Sequence, residues 1–415
     1  MQAGVASAAA VAAAVADAHR TAWAQVLAAT VRVTGDLEVA EECVQDSYAR
    51  ALATWTAGIP ANPAAWLTTA ARRRAIDELR RASTLRGKLP LLVEPEPAPT
   101  SPPTPFPDDR LRLLYTCCHP ALGREAQVAL TLRLLCGLST GDVARAFLVP
   151  EPTMAARITR AKKKITAARI PYRIPAAEDL PARTDAVLTV VHLVFTAGHT
   201  APSGATLTRP DLAERALDLA RLLRLLLPED PDVAGLLALI LLTDARRATR
   251  TGPDGRLLLL EEQDRTRWDR AAIDEGIALL REALQHRPPG RYPLQAAIAA
   301  VHAGAPHADA TDWAEIVALY DLLLDRWPSP VVALNRAVAV GFAFGPEAGL
   351  AALDHLAGEP LLARYPYLAA GRADFLRRLG RTEQARLAYS EALVLTDNEV
   401  ERRFLEARLD GLPTG

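Results

Sequence analysis

The segment STGDVARAFLVPEPTMAARITRAKKKI (residues 139–165) holds two helix-forming pieces separated by the turn sequence LVP. Ser139 followed three residues later by Asp142 is a capping-box pattern, which opens a short helix. Pro152 lies where the first turn of a second helix tolerates proline, and we expect that helix to continue to about Arg169. A short helix, a tight turn and a longer basic helix predict a helix-turn-helix motif.

The second helix of this motif concentrates positive charge. Positions three and four apart share one face of a helix, which groups Arg157, Arg160 and Lys164 and leaves Ile158, Ala161 and Ile165 for packing. In helix-turn-helix docking, the first turns of this helix reach base edges and later basic residues meet phosphates. A solvated basic face is the alternative explanation. The residues expected to contact DNA are Thr153, Ala156, Arg157, Arg160, Lys162, Lys163 and Lys164.

Charge is unevenly distributed along a chain whose formal net charge is only -1. Residues 1–170 contain 21 Lys and Arg against 15 Asp and Glu, whereas residues 171–415 contain 27 against 34. A basic first part beside an acidic second part indicates an anionic partner for the first part.

A second basic cluster, ARRRAIDELRRASTLRGK, occupies residues 71–88. We place it on a helix from Pro63 to about Ala82 that Asn62 caps. Within it, Arg73 or Arg74 is expected to pack against Asp77, and the other arginines are expected to meet phosphate. The apolar face is predicted to consist of Ala65, Trp66, Ala70, Ile76 and Leu79.

Two further helices are expected before that one, over Ala8–Thr34 and Leu37–Trp55, with Gly35 ending the first. The stretch 89–108 is proline-rich and is predicted to be an extended tether. The blocks on either side of it, residues 1–88 and 109–172, are therefore expected to be separate domains. Two basic helices joined by a tether predict contacts with two separated stretches of one duplex and a steep salt dependence.

The rest of the chain is expected to be helical as well. Ala, Leu and Arg dominate, and alternating runs of Val and Ile are nearly absent, so the predicted fold class is all-α. We divide the extension into a helical domain over 173–287 and a second over 288–415. In the latter, small residues and a Leu379–Gly380 turn within 367–397 have the spacing of a tetratricopeptide (TPR) unit, with an ordinary helical hairpin as the alternative.

These motifs resemble a bacterial sigma factor of the sigma-70 family, extracytoplasmic-function (ECF) class. The acidic helix in residues 35–55 and the pattern N-P-x-x-W-L with R-A-I-D-x-L-R-R in 62–81 are similar to region 2. Residues 150–165 lie in place of the region 4 recognition helix, although Ala155 replaces a residue that is often polar. The extension, including SPVVALNRAVAV (329–340), resembles that of a subgroup with TPR-like repeats.

The resemblance implies that the chain binds core RNA polymerase and directs it to promoter DNA, with no cofactor and no catalysis of its own. A helix in region 2 would bind polymerase through Glu41, Glu42, Gln45, Asp46 and Arg50. The loop before the third helix would read the downstream promoter element. Trp66 would either stack on a base or belong to the core, and the core role is favoured. The downstream DNA-contacting residues are then Ile59, Asn62, Trp66, Arg72, Arg73, Arg74, Arg80 and Arg81.

The extension is expected to regulate sigma activity from within the same chain, where it replaces or supplements a separate inhibitor, and it is a candidate binding site for a regulatory protein. The alternative function is a dimeric helix-turn-helix regulator with a TPR-type sensor, which leaves the N-P-x-x-W-L helix unexplained. An enzyme is disfavoured because phosphate-loop, H-E-x-x-H and G-x-S-x-G motifs are lacking.

The cysteines are candidate metal ligands. Cys117 and Cys118 precede His119 without the spaced pairs of a zinc site, so we expect no metal and interpret them as core thiols.

No segment has the length of a membrane span, and the N-terminus lacks a signal peptide's charged start. A cytoplasmic protein without membrane insertion is predicted.

Overall fold

The computed structural model describes residues 7–86, 109–147 and 149–413. Over these residues the chain is all-α, as predicted, apart from two short strands, β1 (Ser203–Gly204) and β2 (Asp397–Asn398), which pair in parallel. None of the helices described is long and apolar enough to cross a membrane. The chain divides into two compact units, residues 1–190 and 191–415.

The first unit begins with three long helices and one 3-10 turn. Gly35 ends the first helix with φ 66°, and its N–H donates to Val31 O, which confirms the predicted C-cap. Asn62 Oδ1 accepts from Ala65 N at 3.0 Å and so caps the third helix. The elements are α1 (Ala8–Thr34), α2 (Leu37–Thr54), the 3-10 turn (Trp55–Ala57) and α3 (Pro63–Arg86).

The prediction of the buried face of α3 is wrong, because a different face of this helix is buried. Leu67, Ala71 and Ala75 are fully buried, whereas Ile76 and Leu79 are each 41% exposed. The small side chains of Ala71 and Ala75, four positions apart, allow α3 to lie close to α1 and α2. This close helix packing determines which face is buried, although Ile76 and Leu79 have larger apolar side chains.

The second part of this unit contains the predicted helix-turn-helix. Ser139 and Asp142 form the capping box that opens its first helix. The second helix begins at Glu151 and ends at Ala167, two residues before Arg169, which adopts φ 47°. Leu148 in the turn and the proline-rich stretch 89–108 lie outside the described residues. The elements are α4 (Asp109–Cys117), α5 (Arg124–Leu130), a π-helical turn (Thr131–Leu135), α6 (Thr140–Ala146) and α7 (Glu151–Ala167).

The two blocks on either side of that stretch pack against each other. The buried Trp23 on α1 donates its Nε1–H to Leu134 O at 3.1 Å. The Tyr172 hydroxyl lies 2.9 Å from Ala28 O and 3.0 Å from Asp109 O. Residues 1–190 are therefore one compact unit, in which the separation expected from a tether is not observed.

The second unit consists of stacked helices. Its most apolar helix, α10, is buried along nearly its whole length. The predicted turn at Leu379–Gly380 is present, with Gly380 at φ 70°. Helix α8 spans Leu180–His199. The following helices are α9 (Pro210–Leu226), α10 (Pro231–Asp244), α11 (Arg270–Ala283), α12 (Arg291–Gly304), α13 (Trp313–Arg326), α14 (Pro330–Phe344), α15 (Pro346–Asp354), α16 (Pro366–Arg378), α17 (Thr382–Leu395) and α18 (Glu399–Asp410).

Asn398 joins distant parts of the second unit. Its side chain is fully buried, and Nδ2 donates to Ala201 O and Thr206 O, both at 2.9 Å. Its Oδ1 accepts from Val400 N at 2.9 Å and Glu401 N at 3.2 Å, which caps α18. One amide thus satisfies backbone groups on two segments almost 200 residues apart in sequence.

Replacing Asn398 tests this junction. We expect Asn398→Ala to lower the free energy of unfolding by about 2–4 kcal/mol, because it removes a helix cap and leaves two buried carbonyl groups without donors. Asp312, which accepts from Glu315 N, is a cap alone, so Asp312→Ala should cost about 1 kcal/mol. Urea denaturation of both variants measures the difference. Equal losses would contradict the bridging role.

Candidate DNA and polymerase interface

Helix α7 separates a buried face from an exposed face. Met154, Ile158, Ala161 and Ile165 are buried, which confirms the predicted packing of the last three. The opposite face leaves most of the residues expected at DNA open to solvent. Those exposed residues are Thr153, Ala156, Arg160, Lys163 and Lys164.

Arg157 is held in place within this motif. Its Nη1 lies 2.9 Å from Glu125 Oε2, and its guanidinium lies 5.7 Å from the centre of the Phe147 ring. Glu125 is on α5, and Phe147 is in the turn between α6 and α7. Arg157 is therefore fixed in position. To contact DNA, its guanidinium would leave the exposed carboxylate of Glu125 and bind a phosphate or a base edge instead.

Lys162 has a different environment from its neighbours. Its ammonium group is ion-paired with Glu41 on α2, and the side chain is only 15% exposed. Arg133 pairs with the other carboxylate oxygen of Glu41. The three side chains form a charged cluster between α2, the π-helical turn and α7, here called the Glu41 cluster.

Glu41 is therefore buried in this structure and does not lie on the exposed face of α2, and its expected contact with polymerase stays a prediction that requires the cluster to separate. Its carboxylate is 6% exposed, since two cations from the second block cover it. The other expected members of the face, Glu42, Gln45, Asp46 and Arg50, are exposed. A search along the sequence missed Arg133, because its partner lies 92 positions away and no local pattern links them.

Helix α3 presents a row of arginines to solvent. Arg72 and Arg73 are exposed, and neither has an ion-pair partner among the described residues. Arg80 lies 3.9 Å from Asp77, and Arg81 lies 3.3 Å from Glu78. These are exposed pairs of the kind that dissociate at little cost.

Arg74 differs from the prediction. Neither Arg73 nor Arg74 packs against Asp77. Arg74 donates from Nε to Asp46 Oδ2 at 3.0 Å and also pairs with Glu78. The Asp46 hydrogen bond is the main cause of its raised pKa. Arg74 thus links α3 to the helix expected to bind polymerase.

The loop before α3 contains the expected downstream reader. Ile59 is 39% exposed, and Asn62 uses Oδ1 for the helix cap, which leaves its amide N–H groups for a ligand. Trp66 is partly exposed, and its ring meets the buried Trp55 ring edge-on at 5.6 Å. Trp66 therefore contacts a core residue and is still partly accessible.

The adjacent thiols are buried in the second block. Cys117 and Cys118 are fully buried, and burial raises the pKa of Cys118 to about 12. His119 accepts from Ala121 N through Nδ1 at 3.2 Å. Among the residues described, no group of three His, Cys, Asp or Glu side chains is arranged to hold a metal ion.

Comparison with known proteins identifies the two blocks. Residues 22–84 match the model of sigma-70 region 2, and residues 112–165 match the model of sigma-70 region 4. Residues 183–284 match a family of unknown function, DUF6596. These matches include all but the last two residues of α3 and of α7, and all three residues of the Glu41 cluster.

The similarity to a known relative extends over nearly the whole chain. A protein of Rhizobium meliloti (strain 1021), named only as uncharacterized, is 43% identical over 396 residues, which cover 94% of this chain and 93% of the relative. No solved structure matches. The chain belongs to the sigma-70 family, with ECF-like regions 2 and 4 followed by a C-terminal extension.

Proposed function

We propose that the chain is a cytoplasmic sigma factor of the ECF class, which binds core RNA polymerase and directs promoter-specific transcription initiation. The observation that carries this proposal is the pair of exposed basic helices, one in each sigma region. The cations Arg72 and Arg73 of α3 and Lys163 and Lys164 of α7 all face solvent. Such side chains are suited to replace counterions along a phosphate backbone.

Polymerase binding is assigned to the exposed residues of α2. Glu42, Gln45, Asp46 and Arg50 present both charge signs and an amide, which suits a helical partner of mixed charge. Asp46 also holds Arg74, so a partner at α2 would influence the arginines of α3. The Ile76 and Leu79 side chains add exposed apolar area on α3.

The Glu41 cluster restrains the sigma regions in a closed arrangement. Lys162 is a predicted phosphate contact, but here it neutralises Glu41. DNA binding through Lys162 requires that this pair separate, and the polymerase-binding role of Glu41 requires the same. We therefore propose that engagement of polymerase and promoter opens the contact between regions 2 and 4.

The extension is proposed to regulate sigma activity from within the same chain. It is acidic, it follows both sigma regions, and its stacked helices offer surfaces of the kind that solenoid proteins use for binding. The α16–α17 hairpin, with Ala373, Ala385 and Tyr389 buried at their contact, supports the TPR-like interpretation. Such surfaces would also accept a regulatory protein.

Transcription in vitro tests the proposed function. The full chain, added to core polymerase from the same source and a fragmented genomic library, should give discrete start sites that share two spaced motifs. A chain ending at residue 190 should use the same starts in a different yield. Core polymerase alone is the control. Equal yields would contradict regulation by the extension, and silence from both chains would contradict a sigma factor.

The salt dependence of promoter binding tests the arginines of α3. The double variant Arg72→Gln/Arg73→Gln should reduce the slope of log K against log salt by about 2, because each lost phosphate contact contributes ~0.9. The measurement is holoenzyme binding to one promoter at several salt concentrations. Arg270→Gln, an exposed arginine of the extension, is the control. An unchanged slope would exclude phosphate contacts at both positions.

Variants of the neighbouring residues Glu41 and Glu42 distinguish a role in the contact between regions 2 and 4 from a role in polymerase binding. Glu41→Gln should lower the free energy of unfolding by about 3 kcal/mol, because Arg133 and Lys162 lose their shared counter-charge. Glu42→Gln should change it by less than ~0.5 kcal/mol, since Glu42 is exposed. The same Glu42 variant should weaken polymerase binding by up to about fivefold. Denaturation measures the free energy of unfolding of each variant, and a titration measures its binding to polymerase. Equal losses of unfolding free energy in the two variants would rule out the Glu41 cluster as a closing contact.

A further inference from the structure

The second unit contains a cavity of about 500 Å³. It is lined by residues of α8, α10, α12, α13 and α14. Part of the wall belongs to the segment that matches the family of unknown function, and the rest comes from the helices after residue 284. A volume of roughly 300–1,000 Å³ is usual for sites that bind small molecules.

Aromatic side chains form much of the wall. Trp268, Tyr320 and Trp327 line the cavity together with Leu239 and Ile298. Trp268 is held by a hydrogen bond from Nε1 to Thr249 Oγ1 at 2.9 Å and by the Arg265 guanidinium, 4.6 Å from its ring centre. This part of the wall is therefore apolar, and Trp268 is fixed in position, as in sites that bind the body of an organic ligand.

One cation in the wall has no counter-charge. The Arg246 side chain lines the cavity, and no carboxylate lies within ion-pair distance of it in the part of the chain that the structure describes. The nearby Arg265 has the same sign. Burial, reinforced by Arg265, lowers the pKa of Arg246 to about 10, so the guanidinium stays charged at neutral pH.

Two further polar groups of the wall have no hydrogen-bond partner among the residues that the structure describes. These groups, Gln295 Nε2 and His302 Nδ1, are buried. Burial is the main reason that the pKa of His302 falls to about 4, and the two arginines lower it further, so the ring is neutral at pH 7. Buried polar groups of native proteins are normally satisfied, and each exception calls for an explanation such as an absent ligand.

We propose that this cavity binds a small organic anion, whose oxyanion group lies at Arg246 and Gln295 and whose apolar body packs on Trp268 and Trp327. A planar guanidinium fits a carboxylate or a phosphate through two parallel hydrogen bonds. A cationic ligand is disfavoured by Arg246 and Arg265. Because the wall joins the two halves of the extension, an occupied site would hold them in one arrangement.

The inference goes beyond the proposed sigma function and is tested without transcription. Thermal unfolding of the full chain would be followed with benzoate, indole-3-acetate and phenyl phosphate at about 10 mM. A ligand present at about 100 times its Kd should raise the Tm by roughly 5–10 °C. Benzamide and indole-3-acetamide keep the apolar body without the charge and should give no shift. Inorganic phosphate, which lacks the body, should also give none.

Variants assign the shift to the cavity. Arg246→Gln should abolish it, and without ligand this variant should unfold at the same or a higher temperature than the wild type, because an unpaired cation is removed from the interior. Ala299→Leu, which narrows the cavity, should also reduce the shift. Arg281→Gln, an exposed arginine of α11, should keep the full shift.

The proposal is overturned by any of three results. These are no shift with any of the three organic anions, an equal shift with the amides or inorganic phosphate, and a shift that persists in both cavity variants. A positive result together with failed transcription would leave the ligand site standing and reject the sigma proposal alone. The two inferences therefore fail independently.

Discussion

The burial of the Glu41 carboxylate constrains the arrangement of the sigma regions. A buried carboxylate is stable only when cations and hydrogen bonds replace its lost hydration, and Arg133 and Lys162 supply this from the second block. Both partners come from the region 4 segment, so the two regions must remain in contact for Glu41 to be satisfied. A charge on α2 thereby fixes the position of Lys162 on α7.

The same contact is suited to separation. A buried ion pair contributes little net free energy, because its attraction is largely offset by desolvation of the two charges. The other contacts between the blocks include hydrogen bonds from Trp23 and Tyr172 to backbone carbonyl groups, which water can replace. A polymerase surface or a phosphate backbone offers equivalent partners for the cluster, so opening exchanges interactions of similar strength.

Local patterns predicted the elements, while long-range packing decided which faces are buried. The capping box at Ser139, the C-cap at Gly35 and the N-cap at Asn62 depend on neighbouring residues, and the sequence was sufficient to predict them. The buried face of α3 and the environment of Glu41 depend on helices distant in sequence. A single sequence contains no signal for such pairings, and exposed Ile76 shows that residue size alone misleads.

Two buried amide side chains of the extension differ in their hydrogen bonding. Asn398 makes four hydrogen bonds and joins distant backbone segments, as expected of a buried amide whose role is structural. Among the residues that the structure describes, Gln295 Nε2 has no hydrogen-bond partner, and Arg246, which lines the same cavity, has no ion-pair partner. Because the same fold satisfies one amide completely, the unsatisfied group does not reflect a general looseness of packing. It marks the cavity wall as a surface whose partner is supplied from outside the chain.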